Sequence, residues 1–243
     1  MSDPEVTREI RAPRRVLDLF CCAGCATRGY HRVWPDAEFV GVDIEPQPRY
    51  PFEFFQIDAM AVLAPATGCV RWLQRFDFIH ASPPCQHYCD LAKRNGNADD
   101  WPDLVGPVRE ALIRSGVPYV IENVEGAPLV NAVTLCGTMF PGLRVLRHRL
   151  FEASFPIEQP EHPPHPLVFT HDKRKAHYGK LNQDTSFVQV TGGGNATIRN
   201  KRAAMGVADP LTNHEINEAI PPAYAEHVAR SFSAHLARQA VAA

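Results

Sequence analysis

Short apolar runs, broken by small or acidic residues, recur along the first half of this chain. Arg14-Arg15 leads into Val16-Leu-Asp-Leu-Phe20, a buried-strand pattern ended by small residues. Residues 26–34 carry helical spacing, and Phe39-Val-Gly-Val-Asp43 reads as a second strand closing on a carboxylate. Glu53-Phe-Phe-Gln-Ile57 is a third strand before Asp58, and Phe76-Asp-Phe-Ile-His-Ala81 a fourth before Ser-Pro-Pro-Cys. Residues 102–115 have helical spacing that stops at Gly116, and Val117-Pro-Tyr-Val-Ile-Glu-Asn123 is a fifth strand. Strands alternating with helices across short loops predict an α/β fold with a doubly wound, mainly parallel sheet. Ligands of such sheets sit beyond the carboxyl ends of the strands. Asp43, Asp58, Cys85 and Glu122 all fall at or near those ends.

The bulk numbers narrow this picture only slightly. With 243 residues, 45% hydrophobic and 21% charged, the chain fits one α/β domain or a core with a small insertion. A formal charge of −2 gives no global sign of nucleic-acid binding, so any such sign must be local. One exists: residues 171–202 carry Lys173, Arg174, Lys175, Lys180, Arg199, Lys201 and Arg202 against only Asp172 and Asp184, a balance suited to phosphate contacts or to a solvated loop. Gly193, in the run Thr191-Gly-Gly-Gly-Asn195, allows close backbone approach or a flexible turn. Five of the 22 prolines crowd into residues 156–166, which read as an extended connector. No long apolar run and no signal-peptide pattern is present. A cytoplasmic protein with no membrane partner is expected, its seven cysteines reduced.

Candidate chemistry gathers at the strand ends. The stretch Asp18-Leu-Phe-Cys-Cys-Ala-Gly-Cys25 holds a Cys22-x-x-Cys25 pair, which is either a metal or redox site or a cofactor turn. Neither a G-x-G-x-x-G nor a P-loop pattern is present, so no phosphate cradle is encoded there. S-adenosylmethionine lacks phosphate and needs a close backbone turn with one or two acids. Asp43 is placed to accept from a ribose diol and Asp58 to hold an adenine amino group, although either acid also suits a turn or helix cap. Cys85 follows two prolines on a stiff turn, ahead of a polar loop over 86–100 that reads as mobile. Glu122 interrupts an apolar strand, so it needs partners or a raised pKa, unless it lies at an exposed strand end. Arg147 and Arg149 share a face if their segment is a strand.

Taken in order, the motifs DLFCCAGCATRGY, GVDIEP, QIDAM, ASPPCQ, VIENVEG and RHRLFE, then EAIPPAYAEHV near the C-terminus, resemble the C5-cytosine-specific DNA methyltransferase family. The wording is similar to that of the small enzymes of bacteriophages and actinobacteria. The resemblance implies a Rossmann-like methyltransferase core over 1–152 plus 203–243, with 153–202 as a small target-recognition insertion. It implies S-adenosylmethionine as cofactor and, as partner, duplex DNA with its target base flipped out, with no obligatory protein partner. Cys85 would be the nucleophile, Glu122 the acid at cytosine N3, and Arg149 the group holding the base, with Arg147 in support. Phe20, Cys21, Cys22, Gly24, Cys25, Asp43, Ile44, Asp58, Ala59 and Pro84 would line the cofactor site. Gln86, Asn123, Lys173, Arg174, Lys175, Lys180 and Gly193 would meet the nucleic acid.

Two departures stand out. The family's F-x-G-x-G-G turn reads Phe20-Cys-Cys22-Ala-Gly24-Cys25, so cysteines stand where two glycines are usual, and any positive φ there is penalised. This leaves a modified relative of S-adenosylmethionine open as donor. About fifty residues between Glu152 and Ala203 are too few for a large recognition domain, which leaves RNA open as substrate. In a different class, Cys22, Cys25, Cys85 and Cys89 would form a zinc site in a non-catalytic nucleic-acid-binding protein. The methyltransferase reading assigns no metal.

Overall fold

The computed structural model describes residues 12–65, 68–165, 187, 188, 190 and 196–242. In chain order the elements are β1 (Arg15–Leu19), α1 (Cys25–Val33), β2 (Glu38–Asp43), β3 (Glu53–Gln56), α2 (Ala59–Leu63), α3 (Cys69–Leu73) and β4 (Phe78–Ala81). Then follow α4 (Asp90–Asn95), α5 (Val105–Ser115), β5 (Tyr119–Asn123), β6 (Val133–Leu135), β7 (Arg149–Ala153), α6 (Ile198–Ala204), α7 (Asn213–Glu218) and α8 (Pro222–Ala242). The strands form one sheet in the order β3-β2-β1-β4-β5-β7-β6. β1 to β5 run parallel, while β7 is antiparallel to both β5 and β6. The chain therefore has the expected α/β architecture with a doubly wound, mainly parallel sheet.

Successive residues of a strand point to opposite faces, and the two faces here differ. On one face Leu17, Leu19, Val40, Val42, Ile79, Ala81 and Ile121 pack against apolar side chains of α2, α3 and α5. On the other, Val16, Phe78 and Val120 meet Tyr30 of α1, Trp34 just after it, and Tyr224, Val228 and Phe232 of α8. Each strand on this second face turns polar toward its carboxyl end, at Asp18, His80 and Glu122, all buried. α1 and α8 approach closely because Gly29 leaves room for the carbonyl of Pro222. Trp34 Nε1 donates to Ser233 Oγ at 3.0 Å across the same contact.

Several expectations take a different form. The segment after Cys85 is a short turn followed by α4, and buried Tyr88 ties it to α5 by accepting from the Val105 N–H at 3.1 Å. β7 begins only at Arg149, so Arg147 precedes the strand instead of sharing it. Of the 153–202 segment, residues 166–186, 189 and 191–195 lie outside the described part. Val188 and Val190 pack with Val145, Ala204 and Cys25 in one apolar cluster. Among the described residues no helix is long and apolar enough to cross a membrane.

Candidate active site

The turn after β1 carries three unusual residues. Phe20 and Cys22 have φ of 57° and 44°, and Gly24 has φ of 76°. A side chain in this left-handed region costs roughly 1–2 kcal/mol. Cys25, by contrast, begins α1 with helical backbone. The two cysteines that replace glycine are thus unequal, since only Cys22 sits at a position that favours glycine. Gly24 is required twice over, because a Cβ there would lie 2.7 Å from the Tyr50 ring.

Asp43, at the end of β2, holds this turn in place. Its Oδ2 accepts from the Cys22 N–H at 2.9 Å and its Oδ1 from the Glu45 N–H at 3.0 Å. The Cys21 N–H donates to the Val42 carbonyl at 3.1 Å. Ile44 next to it is 62% exposed, a large apolar side chain lying open at the strand end. Asp58 caps α2, its Oδ1 accepting from the Met60 N–H at 2.8 Å, and Ala59 behind it is buried. Burial is the main cause that raises the thiols of Cys21, Cys22 and Cys25, that of Cys25 to about 12. Nearby carboxylates, Asp43 foremost for Cys22, push the same way. The three are neutral thiols. Among the described residues Cys22, Cys25, Cys85 and Cys89 do not come together as a group that could hold a metal ion.

Beyond β4, Ser82-Pro-Pro-Cys85 is fixed from the neighbouring strand. Asn123 Nδ2 donates to the Pro83 carbonyl at 2.8 Å, and Asn123 Oδ1 accepts from the Val124 N–H at 2.9 Å. Asn123, expected at the nucleic acid, holds the loop that carries Cys85. Pro84 and Cys85 are half-buried, and the Cys85 carbonyl accepts from the N–H groups of Tyr88 and Cys89, both at 3.0 Å. Burial raises the Cys85 thiol, Arg149 draws it down, and Glu122 raises it again. Gln86 Oε1 is buried without a hydrogen-bond partner, an acceptor left for something else to satisfy.

Glu122 and Arg149 come from the antiparallel strands β5 and β7. Arg149 Nε lies 3.0 Å from Glu122 Oε1, close enough for an ion pair but without hydrogen-bond alignment. Burial raises the Glu122 pKa above the ordinary carboxylate range; Arg149, a hydrogen bond from Ser82, and Arg147 pull against it. Arg147 is buried, and burial followed by Arg149 brings it down to about 9. Its Nη1 donates to the Val190 carbonyl and its Nη2 to the Asn217 carbonyl, both at 2.6 Å, while Tyr224 Oη donates to the Arg147 carbonyl at 2.7 Å. Arg147 thereby ties the approach to β7 to the C-terminal helices.

A polar chain that sequence reasoning did not find supports Glu122 from below. The Tyr30 hydroxyl bonds His80 Nδ1 at 2.8 Å, and His80 Nε2 bonds the Ser82 hydroxyl at 2.8 Å. Burial lowers His80 to about 3, so the ring is neutral and relays one orientation from α1 to Ser82. One register position across, Asp18 accepts from the Thr27 hydroxyl, which also meets Tyr50 Oη at 2.9 Å. These partners are separated by up to fifty residues, and no local pattern marks them.

The basic residues divide. Lys173, Arg174, Lys175, Lys180 and Gly193 lie outside the described residues. Lys201, expected among the phosphate-facing charges, is instead buried: its Nζ donates to Asn213 Oδ1 at 3.0 Å and Asn217 Oδ1 at 2.7 Å. Arg202 donates to the Ala208 carbonyl. Both are used in packing α6 against the segments that follow.

No protein-family model and no curated protein matches this sequence. Among solved structures, the chain resembles the Entamoeba histolytica methyltransferase EhMeth, with a TM-score of 0.52 and 11% identity over 94% of this chain and 99% of that one. The plantazolicin methyltransferase BpumL, solved with SAH, overlaps over 47% of this chain and 40% of that one, at 14% identity and a TM-score of 0.30. The likeness to EhMeth over 94% of this chain shows the fold, a Rossmann-like α/β fold that the two proteins share.

Proposed function

We propose that the chain is an S-adenosylmethionine-dependent DNA methyltransferase acting on C5 of cytosine through a covalent bond from Cys85. The observation that carries this reading is the convergence of Cys85, Glu122 and Arg149. A thiol on a pinned turn lies within electrostatic reach of a buried carboxyl held toward its protonated form and a guanidinium beside it.

The residues present fit the cofactor. The left-handed turn at Cys22 and Gly24 brings backbone close, Asp43 sits at the end of β2, and exposed Ile44 offers a surface for an adenine ring beside Asp58. When bound, S-adenosylmethionine supplies an electrophilic methyl group on its sulfonium.

The chain's own groups then have defined tasks. Glu122, which burial holds toward its protonated form, would carry a proton at least transiently and donate it toward cytosine N3. Once protonated it no longer opposes ionisation of Cys85, while Arg149 still favours the thiolate. The thiolate sulfur would bond to C6 and move the electron pair to C5, the carbon to which the bound cofactor would supply its methyl group. Loss of the C5 proton to water, return of the N3 proton to Glu122 and departure of the Cys85 sulfur as thiolate would restore the aromatic base and the enzyme. In duplex DNA the base must leave the stack, at a cost of a few kcal/mol.

Incubation with duplex DNA and methyl-labelled cofactor, then digestion to nucleosides, is expected to yield 5-methylcytosine that disappears in Cys85→Ala. Label in N4-methylcytosine or N6-methyladenine would overturn the reading. Label found in tRNA and absent from DNA would move the substrate to RNA.

A further inference from the structure

Away from Cys85, four side chains from three separate segments bring metal-binding atoms together. Cys136 follows β6, His148 precedes Arg149 of β7, and His162 and His165 lie in the proline-rich connector. One ligand atom from each lies within 4.8 Å of every other. His148 Nε2 is 3.3 Å from His162 Nε2, which is 3.1 Å from His165 Nε2, which is 3.6 Å from Cys136 Sγ.

We infer that Cys136, His148, His162 and His165 form a tetrahedral zinc site that fastens the 156–165 connector to the β6–β7 edge of the sheet. Zinc takes imidazole nitrogen at about 2.0–2.1 Å and thiolate sulfur at about 2.3 Å, so its tetrahedron has N···N edges near ~3.3 Å and N···S edges near ~3.6 Å. The three separations above match those edges. Three Nε2 atoms and a sulfur converging on one point can all be satisfied together by a single cation, and a mixed set of one sulfur and three imidazoles suits zinc.

Two further features prepare the ligands. Extended proline-rich chain has three residues per turn, so His162 and His165 in His-Pro-Pro-His emerge on the same side, and the prolines between them restrict the backbone. Glu125 Oε2 lies 3.5 Å from His148 Nδ1, where it favours the tautomer that leaves Nε2 bare for metal. Four protein ligands fill the coordination sphere, which makes this a structural site. It has a route to the neighbouring chemistry, because the His148 carbonyl accepts from Arg149 Nη1 at 2.8 Å. None of the four is among Cys22, Cys25, Cys85 and Cys89.

The test uses the full chain, stripped with a chelator and reloaded with zinc alone or cobalt(II) alone. About one equivalent of either metal per chain is expected, with the cobalt form showing tetrahedral d–d bands and a sulfur-to-cobalt charge-transfer band. Cys136→Ser should remove the charge-transfer band, and His162→Ala with His165→Ala should abolish stoichiometric binding. Glu125→Gln should weaken affinity roughly 10–100-fold. His162 and His165 are exposed, so that double variant should keep the wild-type circular dichroism while losing the metal. Failure of the wild-type chain to take up either metal would overturn the inference. So would a cobalt spectrum unchanged by Cys136→Ser and by the histidine pair, or metal lost in Cys22→Ala/Cys25→Ala and kept in these variants.

Discussion

The two faces of the central sheet come from the same strands and serve different ends. Toward α2, α3 and α5 the strands present apolar side chains from Leu17 to Ile121, with buried Asn123 at the end of β5 as the polar exception. Toward α1 and α8 the same strands begin apolar at Val16, Phe78 and Val120, then become polar at Asp18, His80 and Glu122. One face is almost wholly apolar packing. The other gives up dry packing near the carboxyl ends so that acids and bases can be held without water, where burial moves Glu122 and Asp18 up and His80 down. Because alternate residues of one strand supply both faces, neighbours in sequence should respond very differently to substitution.

The largest contrast should be between activity and stability at β5. Glu122→Gln removes the proton that the proposed reaction needs, and a positioned general acid is typically worth about 10²–10⁴-fold in rate. Its kcat/KM is expected to fall by that order while the thermal unfolding curve stays close to wild type. Activity within about tenfold of wild type would break the assignment of chemistry to this face.

The acid and base on the polar face should cancel each other's pH dependence. Asp18 and His80 are register partners on β1 and β4. Burial raises Asp18 from its ordinary 3.8 to about 7. Its contribution to stability is therefore complete below pH 3.8 and drains away as pH rises toward 7. His80 is lowered from 6.5 to about 3, so its contribution is complete above pH 6.5 and drains as pH falls toward 3. Between these limits the two slopes oppose. Asp18→Asn keeps an acceptor for Thr27 but cannot ionise, which leaves the His80 slope exposed. The unfolding free energy of this variant, relative to wild type, should rise by about 4 kcal/mol between pH 4 and pH 7.5, measured by denaturant titration. Parallel curves for the two proteins would show that Asp18 ionises over the same pH range in the folded and unfolded chain.

On the apolar face, Ile121→Ala should cost about 3 kcal/mol of stability, as for a fully buried large-to-small change, with kcat/KM of the folded protein nearly unchanged. A loss of activity rivalling that of Glu122→Gln would mean that the faces are not separable.

Legibility in the sequence follows the same division. The parallel strands were readable because a strand covered on both faces is a continuous apolar run, and β1, β2 and β5 lie within two residues of the ranges expected. β6 and β7 escaped because one is three residues long and the other opens on Arg149 with no clean alternation. Cys85, Glu122 and Arg149 stood out as chemical groups in unlikely surroundings. Tyr30, His80 and Ser82 did not, since each is ordinary by itself and acquires a role only when distant strands are brought together. The connector shows both limits, since the prolines marked it as extended while Cys136 and His148, which complete its cluster, lie outside it.

The finest test lies in the turn where the two faces meet, after β1. The motif reading treats Cys22 and Cys25 alike, as two replaced glycines, whereas the backbone separates them. Cys22 has φ of 44°, where a Cβ is strained, and its N–H is committed to Asp43. Cys25 lies in the first turn of α1 and packs in an apolar cluster with Val145 and Val188. Glycine at position 22 should therefore relieve strain and stabilise the fold by about 1 kcal/mol. Glycine at position 25 should destabilise it by about 1 kcal/mol or more, through helix propensity and lost packing. Chemical denaturation of Cys22→Gly and Cys25→Gly side by side measures both. Shifts of the same sign would mean that the turn does not hold Cys22 in the left-handed region, and that Asp43 binds a backbone differently disposed from the one seen here.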